Sequence, residues 1–432
     1  MREYEPITAK EVVEILGTTI KHDDDNKLIA LLVQLSAYTE DSQLNLSFNA
    51  PSSSGKSFIP LEVANLFPEE DVIELGYVTP TSFFHSGEFD KENKQFIVNL
   101  ERKIIIFMDQ PHNMLLEHLR PLLSHDKKEI ELKITDKTQK FGLKTKTVIL
   151  KGYPAVVFCS AGLRLDEQEA TRFLLLSPEV SQEKLRAGVV ESLRKSADRE
   201  AYRDYTELNP SRQQLKGRIE AIKKEQIGNI RITEEDRAYI EHRFFATRPM
   251  LKPRHQRDIK RLVSIIKIFA LLNLWHRKRE GSGIVTGRAD IDNAFEIWDR
   301  TAVAQELNIS PYIYRIYEDV IVTVFNEKND NRSDEFVDIT GKLGVTRQEI
   351  MTKHFEANGR LLDATVLRQQ ILPMLNQAGL IIEERDPADK RNKLIYPQLP
   401  VNNSESGGGV NDENKETLEK VRAIFGGGEL IE

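Results

Sequence analysis

Residues 50–57 read Ala50-Pro51-Ser52-Ser53-Ser54-Gly55-Lys56-Ser57, preceded by the strand-like Leu44-Asn45-Leu46-Ser47-Phe48 and running into the helix-like Lys56-Ser57-Phe58-Ile59. Strand, small-residue loop and helix, in that order, form the setting in which a P-loop wraps a phosphate chain. Backbone N–H groups at such a helix start point at anions. Lys56 is expected to reach the β- and γ-phosphates, and Ser57 to offer an oxygen to Mg²⁺. Ala50 stands where glycine is commonest, a mild departure because its side chain is one methyl group. The plainer alternative is a Ser-rich turn that only caps a helix. The loop constrains the fold to an α/β nucleotide-binding sheet, with ATP and Mg²⁺ as the expected ligands.

A second segment supports that expectation. Lys103-Ile104-Ile105-Ile106-Phe107-Met108-Asp109-Gln110 has the unbroken hydrophobicity of a strand buried on both faces of a parallel sheet. A carboxylate at the carboxyl end of such a strand lies beside the P-loop, so Asp109 is the expected Mg²⁺ partner of Ser57. ATPases of this type usually carry glutamate at the next position as the base that activates water, but here it is Gln110. Glutamine orients a water without accepting its proton. Hydrolysis is therefore expected to be slow, or helped by another carboxylate such as Glu117.

Composition bounds the alternatives. A chain of 432 residues with 40% hydrophobic content has material for about two to four domains. The formal net charge of −7 argues against a uniformly basic nucleic-acid coat, so any such binding is local. The single cysteine, Cys159, excludes an internal disulfide framework and a cysteine-rich metal site. His112, His118 and His125 have no metal-ligand spacing. The start, Met1-Arg2-Glu3-Tyr4-Glu5-Pro6, lacks a secretion-signal pattern, and the apolar run Leu28 to Leu35 is too short for a bilayer. A cytoplasmic protein with no membrane partner is the expectation.

Five parts follow along the chain. Residues 1–43 read as helical, with a capping-box start at Thr8-Ala9-Lys10-Glu11 and Leu28, Leu31, Leu32 and Leu35 at helical spacing. Residues 44–180 alternate short apolar strands with helices, near Val72 to Leu75, Ile104 to Met108, Ala155 to Phe158 and Phe173 to Leu176, which predicts a parallel sheet. Residues 181–310 predict a helical lid, with a strand-like run only near Ile284-Val285. Residues 311–400 form a further module. Residues 401–432 hold two triple-glycine runs around a short amphipathic stretch, Glu416 to Phe425, and read as a flexible tail with a peptide that docks a protein partner.

Between the Asp109 strand and the next core strand, Glu129 to Ile134 and Lys144 to Leu150 each alternate polar and apolar residues around Phe141-Gly142, which is a hairpin signal. Residues 127–151 carry eight lysines against Glu129, Glu131 and Asp136, a net charge of +5 in an acidic protein. Lys133, Lys137, Lys140, Lys144 and Lys146 are candidate contacts to a nucleic-acid backbone. A solvated edge hairpin guarded by lysines against aggregation is the competing reading.

The order of P-loop, acidic strand, basic hairpin and Ala155-Val156-Val157-Phe158-Cys159-Ser160 resembles the AAA+ ATPases with a pre-sensor hairpin. In particular it resembles the ATPase module of minichromosome maintenance (MCM) helicases and the MCM-like helicases of mobile elements. The resemblance covers about residues 44–280. It implies that Ser160 senses the γ-phosphate and that Arg172, in Thr171-Arg172-Phe173-Leu174, is the arginine finger, with Arg164 as a second candidate. It implies a second sensor at Arg257 in Arg257-Asp258-Ile259-Lys260-Arg261-Leu262-Val263, with Arg254 and Arg261 as substitutes. A finger acting in trans implies a closed ring, a hexamer in this family, with hairpins lining a channel for single-stranded DNA. The family's N-terminal collar with its zinc site has no room in this chain, and its catalytic glutamate is replaced by Gln110.

The 311–400 part reads as a winged helix. Thr346-Arg347-Gln348-Glu349 is a capping box, a second helix from about Ala364 to Gln377 ends at Gly379, and Leu380 to Glu383 and Lys393 to Tyr396 flank a basic tip. Arg368 with Gln369 and Gln370 would face a DNA groove, and Lys390, Arg391 and Lys393 would touch phosphate. Pro373 inside the second helix and the acids Glu383 and Glu384 fit instead a module that docks protein or packs on the ring. MCM-like chains also end in a winged helix. Taken together, the residues and the resemblance imply an ATP-dependent DNA helicase or translocase acting as a ring, in replication of a mobile or accessory element. The alternatives are a nucleotide-switched DNA-binding adaptor or loader with little turnover, and a signalling ATPase with no nucleic-acid partner.

Overall fold

The computed structural model describes residues 4–52, 54–76, 78–79, 84, 87–109, 111, 113–136, 144–161, 171–248, 250–329, 343–387 and 390–398. Gln110, Ser53, Arg164, Lys137, Lys140 and the tail segment Glu416 to Phe425 lie outside the described residues, as does the side chain of Lys144.

Five strands, β1 (Asn45–Asn49), β2 (Val72–Leu75), β5 (Ile104–Phe107), β8 (Ala155–Ser160) and β9 (Leu174–Leu176), form one parallel sheet in the order β2-β5-β8-β1-β9. This is an α/β architecture in which the strand preceding the P-loop is interior, flanked by β8 and β9. β1, β5 and β8 are buried along their whole length. Continuous apolar runs such as Ile104 to Phe107 are what a strand covered on both faces requires. Alternate residues go to opposite faces, so Ile104, Ile106, Ala155, Val157, Leu46, Phe48, Leu174 and Leu176 enter one core. Ile105, Phe107, Val156, Phe158 and Leu175 enter another, where the Phe107 and Phe158 rings stack at 5.0 Å between centroids.

The first core is closed by helices. α1 (Ala9–Leu16) starts at Thr8, whose hydroxyl accepts the Glu11 N–H while the Glu11 carboxylate accepts the Thr8 N–H. α2 (Asp24–Leu35) is buried from Asn26 to Leu35, so Lys27 must satisfy its charge locally, on Asp24 at 2.6 Å and on the carbonyls of Ile20 and His22. α3 (Phe58–Ala64) follows the P-loop. The second core is covered by α4 (Asn113–Leu123), through Leu115, Leu119 and Leu122, and by a second sheet.

That second sheet has the order β3-β4-β7-β6, from β3 (Glu88–Asp90), β4 (Gln95–Asn99), β6 (Glu129–Asp136) and β7 (Lys144–Lys151). β6 and β7 pair antiparallel over their full length, from Glu129↔Lys151 to Asp136↔Lys144. β6 is an edge strand.

Beyond β9 the chain is mainly helical: α5 (Gln182–Ala197), α6 (Arg199–Glu207), α7 (Pro210–Glu225), α8 (Glu234–Ala246), α9 (His255–Leu272) and α10 (Arg288–Leu307). The expectation of a single strand-like run in this stretch is corrected. β10 (Ile230–Arg231), β11 (Arg279–Glu280) and β12 (Gly283–Val285) form a small sheet in the order β10-β12-β11. Strands of two or three residues carry no readable period. Gly283 is needed there because a Cβ would stand 2.3 Å from the Asn229 carbonyl oxygen.

The last region has its own core, from Ile309 to Ile395. α11 (Pro311–Arg315) continues through a π-helical stretch, Ile316–Val322, into α12 (Thr323–Asn329). α13 (Arg347–Asn358) starts on the Thr346/Glu349 capping box. α14 (Ala364–Val366) and α15 (Leu372–Gln377) are joined by a second π-helical stretch, Leu367–Ile371, just before Pro373, which has no N–H to give an α-helical ladder. β13 (Ile381–Arg385) and β14 (Lys393–Pro397) pair antiparallel, and Val345 bridges to Ile395. No helix among the described residues is long and apolar enough to cross a membrane.

Candidate nucleotide site

Parallel strands end on one edge of a sheet, and in open α/β sheets ligands bind at that edge. Asn49 is in register with Ser160, and Phe107 with Phe158. Two residues past Phe107, Asp109 therefore comes level with Ser160 and Asn49 across three adjacent strands. The P-loop leaves from the same edge, with the Ala50 N–H donating to the Ser160 carbonyl at 3.3 Å. Ala50 is fully buried, so the methyl group that replaces the usual glycine hydrogen is accommodated.

Gly55 turns the loop. Its φ of +86° lies in the left-handed region, which a residue without a Cβ adopts at little cost. Its carbonyl then accepts the N–H groups of Phe58 and Ile59 at 3.1 and 3.3 Å, which starts α3. The Ser54 hydroxyl is buried with no hydrogen-bond partner. A buried, unpartnered hydroxyl beside a left-handed glycine and a lysine fits a cradle whose partner is a polar ligand.

Cys159 gauges how close the functional groups stand. Its thiol donates to the Lys56 carbonyl at 3.5 Å and is hydrogen-bonded to the Ser57 side chain. Burial pushes the thiol up to about 11, against the smaller opposing pulls of Ser57 and the Lys56 charge, and with a further push from the Asp109 charge. Lys56, Ser57 and Asp109 thus converge on one buried sulfur atom at the end of β8. The loop is also tied from behind. The Ser177 hydroxyl donates to the Asn49 carbonyl at 2.6 Å and accepts the Tyr312 N–H at 3.0 Å. The Ser177 carbonyl accepts from Asn26 Nδ2 and Arg315 Nη2, at 3.0 and 3.2 Å.

The two candidate arginines lie elsewhere. Leu46 is in register with Leu174, so Arg172 is level with Leu44, six residues before the P-loop. At about 3.3 Å per residue that is roughly 20 Å along the sheet. Arg172 Nε donates to Ser124 Oγ at 2.8 Å, at the end of α4. Arg257 donates to the Thr171 hydroxyl and Arg261 to the Thr171 carbonyl. Arg261 and Arg254 bracket the buried Asp258 at 3.1 and 2.9 Å, and burial pulls the Arg261 guanidinium down to about 10, still protonated at neutral pH. Arg172 and Arg257 therefore stand together, on the edge opposite this chain's own P-loop.

No family model and no curated protein matches the chain. Among solved structures it is similar to the crystal structure of a full-length MCM homolog from Methanopyrus kandleri, with 16% identity and a TM-score of 0.41. That match covers 70% of this chain and 63% of the homolog, so the chain spans less than two thirds of the homolog's length.

The candidate nucleic-acid residues divide. On the hairpin, Lys133 is in register with Thr147 and Lys146 with Ile134, so the two lysines point to opposite faces. Lys133 has 71% of its side chain exposed, 3.8 Å from Glu131. Lys146 lies over the Phe96 ring at 4.3 Å, and Phe96 packs on the half-exposed Phe89 at 5.1 Å. In the last module Arg368, Lys390, Arg391 and Lys393 are all exposed, and Lys393 is bonded to Glu383 at 2.5 Å.

Sequence reasoning missed the β3–β4 hairpin and with it the aromatic pair under Lys146. Its signal was the short apolar run Phe96-Ile97-Val98 after the polar turn Lys91 to Lys94. Ser177 had no signal at all, because its partners lie 128 and 135 residues away.

Proposed function

We propose that this chain is an ATP-dependent DNA helicase or translocase that works as a closed ring, hexameric by its resemblance to MCM-like ATPases, in replication of a mobile or accessory element. The observation that carries the reading is the convergence of Lys56, Ser57 and Asp109 on Cys159 at the carboxyl edge of the parallel sheet. In this reading residues 50–57 hold the triphosphate, and Ser57 and Asp109 hold Mg²⁺. When bound, Mg²⁺ would neutralise charge on the β- and γ-phosphate oxygens. Lys56 balances charge that develops as water attacks the γ-phosphorus in line and the bond to the bridging oxygen breaks, giving ADP and phosphate. Gln110 orients that water, and Ser160 reports the γ-phosphate.

Arg172 and Arg257 take part from a neighbouring subunit, since about 20 Å separates them from the P-loop of their own chain. A head-to-tail contact repeated around an axis closes into a ring. Residues 311–400 act as a winged helix in which Arg368 faces a DNA groove, and the hairpin lysines with Lys390, Arg391 and Lys393 touch the phosphate backbone. The division into residues 1–43, 44–180, 181–310, 311–400 and 401–432 belongs to the same proposal.

Gln110 favours a second reading, a DNA-binding adaptor or loader locked by ATP with little turnover. ATP hydrolysis measured with and without single-stranded DNA separates the two. Turnover stimulated by DNA and abolished in Lys56→Ala supports the motor. Near-zero turnover with ATP-dependent DNA binding supports the switch, and no Lys56-dependent nucleotide binding rejects both.

A further inference from the structure

An arginine of the C-terminal module reaches the P-loop. Arg360 Nη1 donates to the Ser52 carbonyl at 3.0 Å, across 308 residues of sequence. Its backbone position is built in. α13 ends at Gly359, whose φ of +65° is a left-handed cap, with the Gly359 N–H returning to the Phe355 carbonyl at 2.7 Å. The buried His354 then bonds the Arg360 carbonyl through Nδ1 at 3.0 Å. The Asn358 carbonyl accepts from Gln182 Nε2 at 3.1 Å, which fixes the end of α13 to the start of α5. Ser177 adds a second tie, joining Tyr312 of the same module to Asn49 one residue before the loop. The guanidinium is thus delivered to the mouth of the phosphate cradle from a frame tied down at two points.

A guanidinium matches phosphate better than it matches a carbonyl. It offers a rigid fork of donors, and hydrogen bonds between charged partners are roughly twice as strong as neutral ones. A triphosphate in the loop would compete with the Ser52 carbonyl for Arg360 and win. We propose that Arg360 is a nucleotide-contacting residue acting in cis, which moves from Ser52 to the triphosphate held by the same chain and so couples ATP binding to the C-terminal module. This rests on the ATP reading of residues 50–57. It differs in kind from the roles of Arg172 and Arg257, which must come from a neighbour.

The test uses the full chain, a fluorescent ATP analogue (mant-ATP) with Mg²⁺, and the variants Arg360→Ala, Arg360→Lys and Lys56→Ala. A lost charged hydrogen bond predicts an affinity about tenfold to a hundredfold weaker in Arg360→Ala, partial recovery in Arg360→Lys, and an unchanged unfolding midpoint, since the Ser52 contact is exposed. Wild-type affinity in Arg360→Ala overturns the inference and leaves the ATP reading standing. Equal losses in both Arg360 variants with a lowered unfolding midpoint also overturn it, because the residue would then only hold the module in place. If wild-type protein shows no binding that Lys56→Ala reduces, both the inference and the ATP reading fall.

Discussion

Cys159 is buried beneath the P-loop, where its thiol reports on the groups around it. With a thiol pushed up to about 11 from an ordinary 9.0, it should be nearly inert at neutral pH. Alkylation by iodoacetamide, followed by mass spectrometry, is expected to rise with pH toward a midpoint near 11. A midpoint close to 9 would mean that the thiol is not buried beneath the loop. The same shift makes a stability statement. The unfolded thiol ionises through 9.0 while the folded one keeps its proton, so the contribution is complete below pH 9 and is lost as pH rises through about 11. Ser177 makes the other prediction at this scale. Replacing it by alanine leaves the Asn49 carbonyl and the Tyr312 N–H without their partner in a buried place. A loss of about 1–3 kcal/mol in urea unfolding is expected, and no loss would mean that the loop needs no support from behind.

Among the elements, the β6–β7 hairpin was legible because the polar–apolar runs Glu129 to Ile134 and Lys144 to Leu150 flank a glycine-bearing link, and they lie within two strands that pair in register. The β3–β4 hairpin escaped because its three-residue first strand gives no period to pair with the apolar run of β4, and the pairing of β4 to β7 is a tertiary fact. The consequence is functional. Lys146 rests on Phe96 while Lys133 faces the other side at a sheet edge, so a strand that uses both must run along the hairpin's rim and not across one face. Lys133→Ala and Lys146→Ala are each expected to weaken single-stranded DNA binding. Each should also lower the salt slope of log affinity by about 0.7, the value for one phosphate contact on a single strand. A double variant that binds as wild type, measured by fluorescence anisotropy across a salt series, would leave the lysines as edge guards.

For the whole molecule, the separation between the P-loop and the Arg172–Arg257 pair is the property to test. An active site completed by a neighbour can be rebuilt from two inactive chains. Lys56→Ala supplies an intact arginine edge, and Arg172→Ala supplies an intact P-loop. In an equal mixture that assembles at random, about a quarter of the interfaces pair the two intact halves. DNA-stimulated ATPase activity should recover to about a quarter of the wild-type value. Mixtures as inactive as their parts, under conditions where particles are seen by electron microscopy, would sink the shared site.

The sequence alone determined the sheet class and the edge at which the candidate site lies. The P-loop and the unbroken apolar run before Asp109 are local signals, and parallel strands carry their carboxyl ends to the same place. Thr8 and Thr346 likewise announced helix starts, because a capping box involves residues three apart. Tertiary structure alone decided which arginines stand by the P-loop and which stand away from it. Arg172 and Arg257 are joined through Thr171, and Arg360 meets Ser52, only because strand register and helix packing bring together residues 86 and 308 positions apart. Side-chain chemistry is written residue by residue, but distance across a fold depends on the packing of every element between.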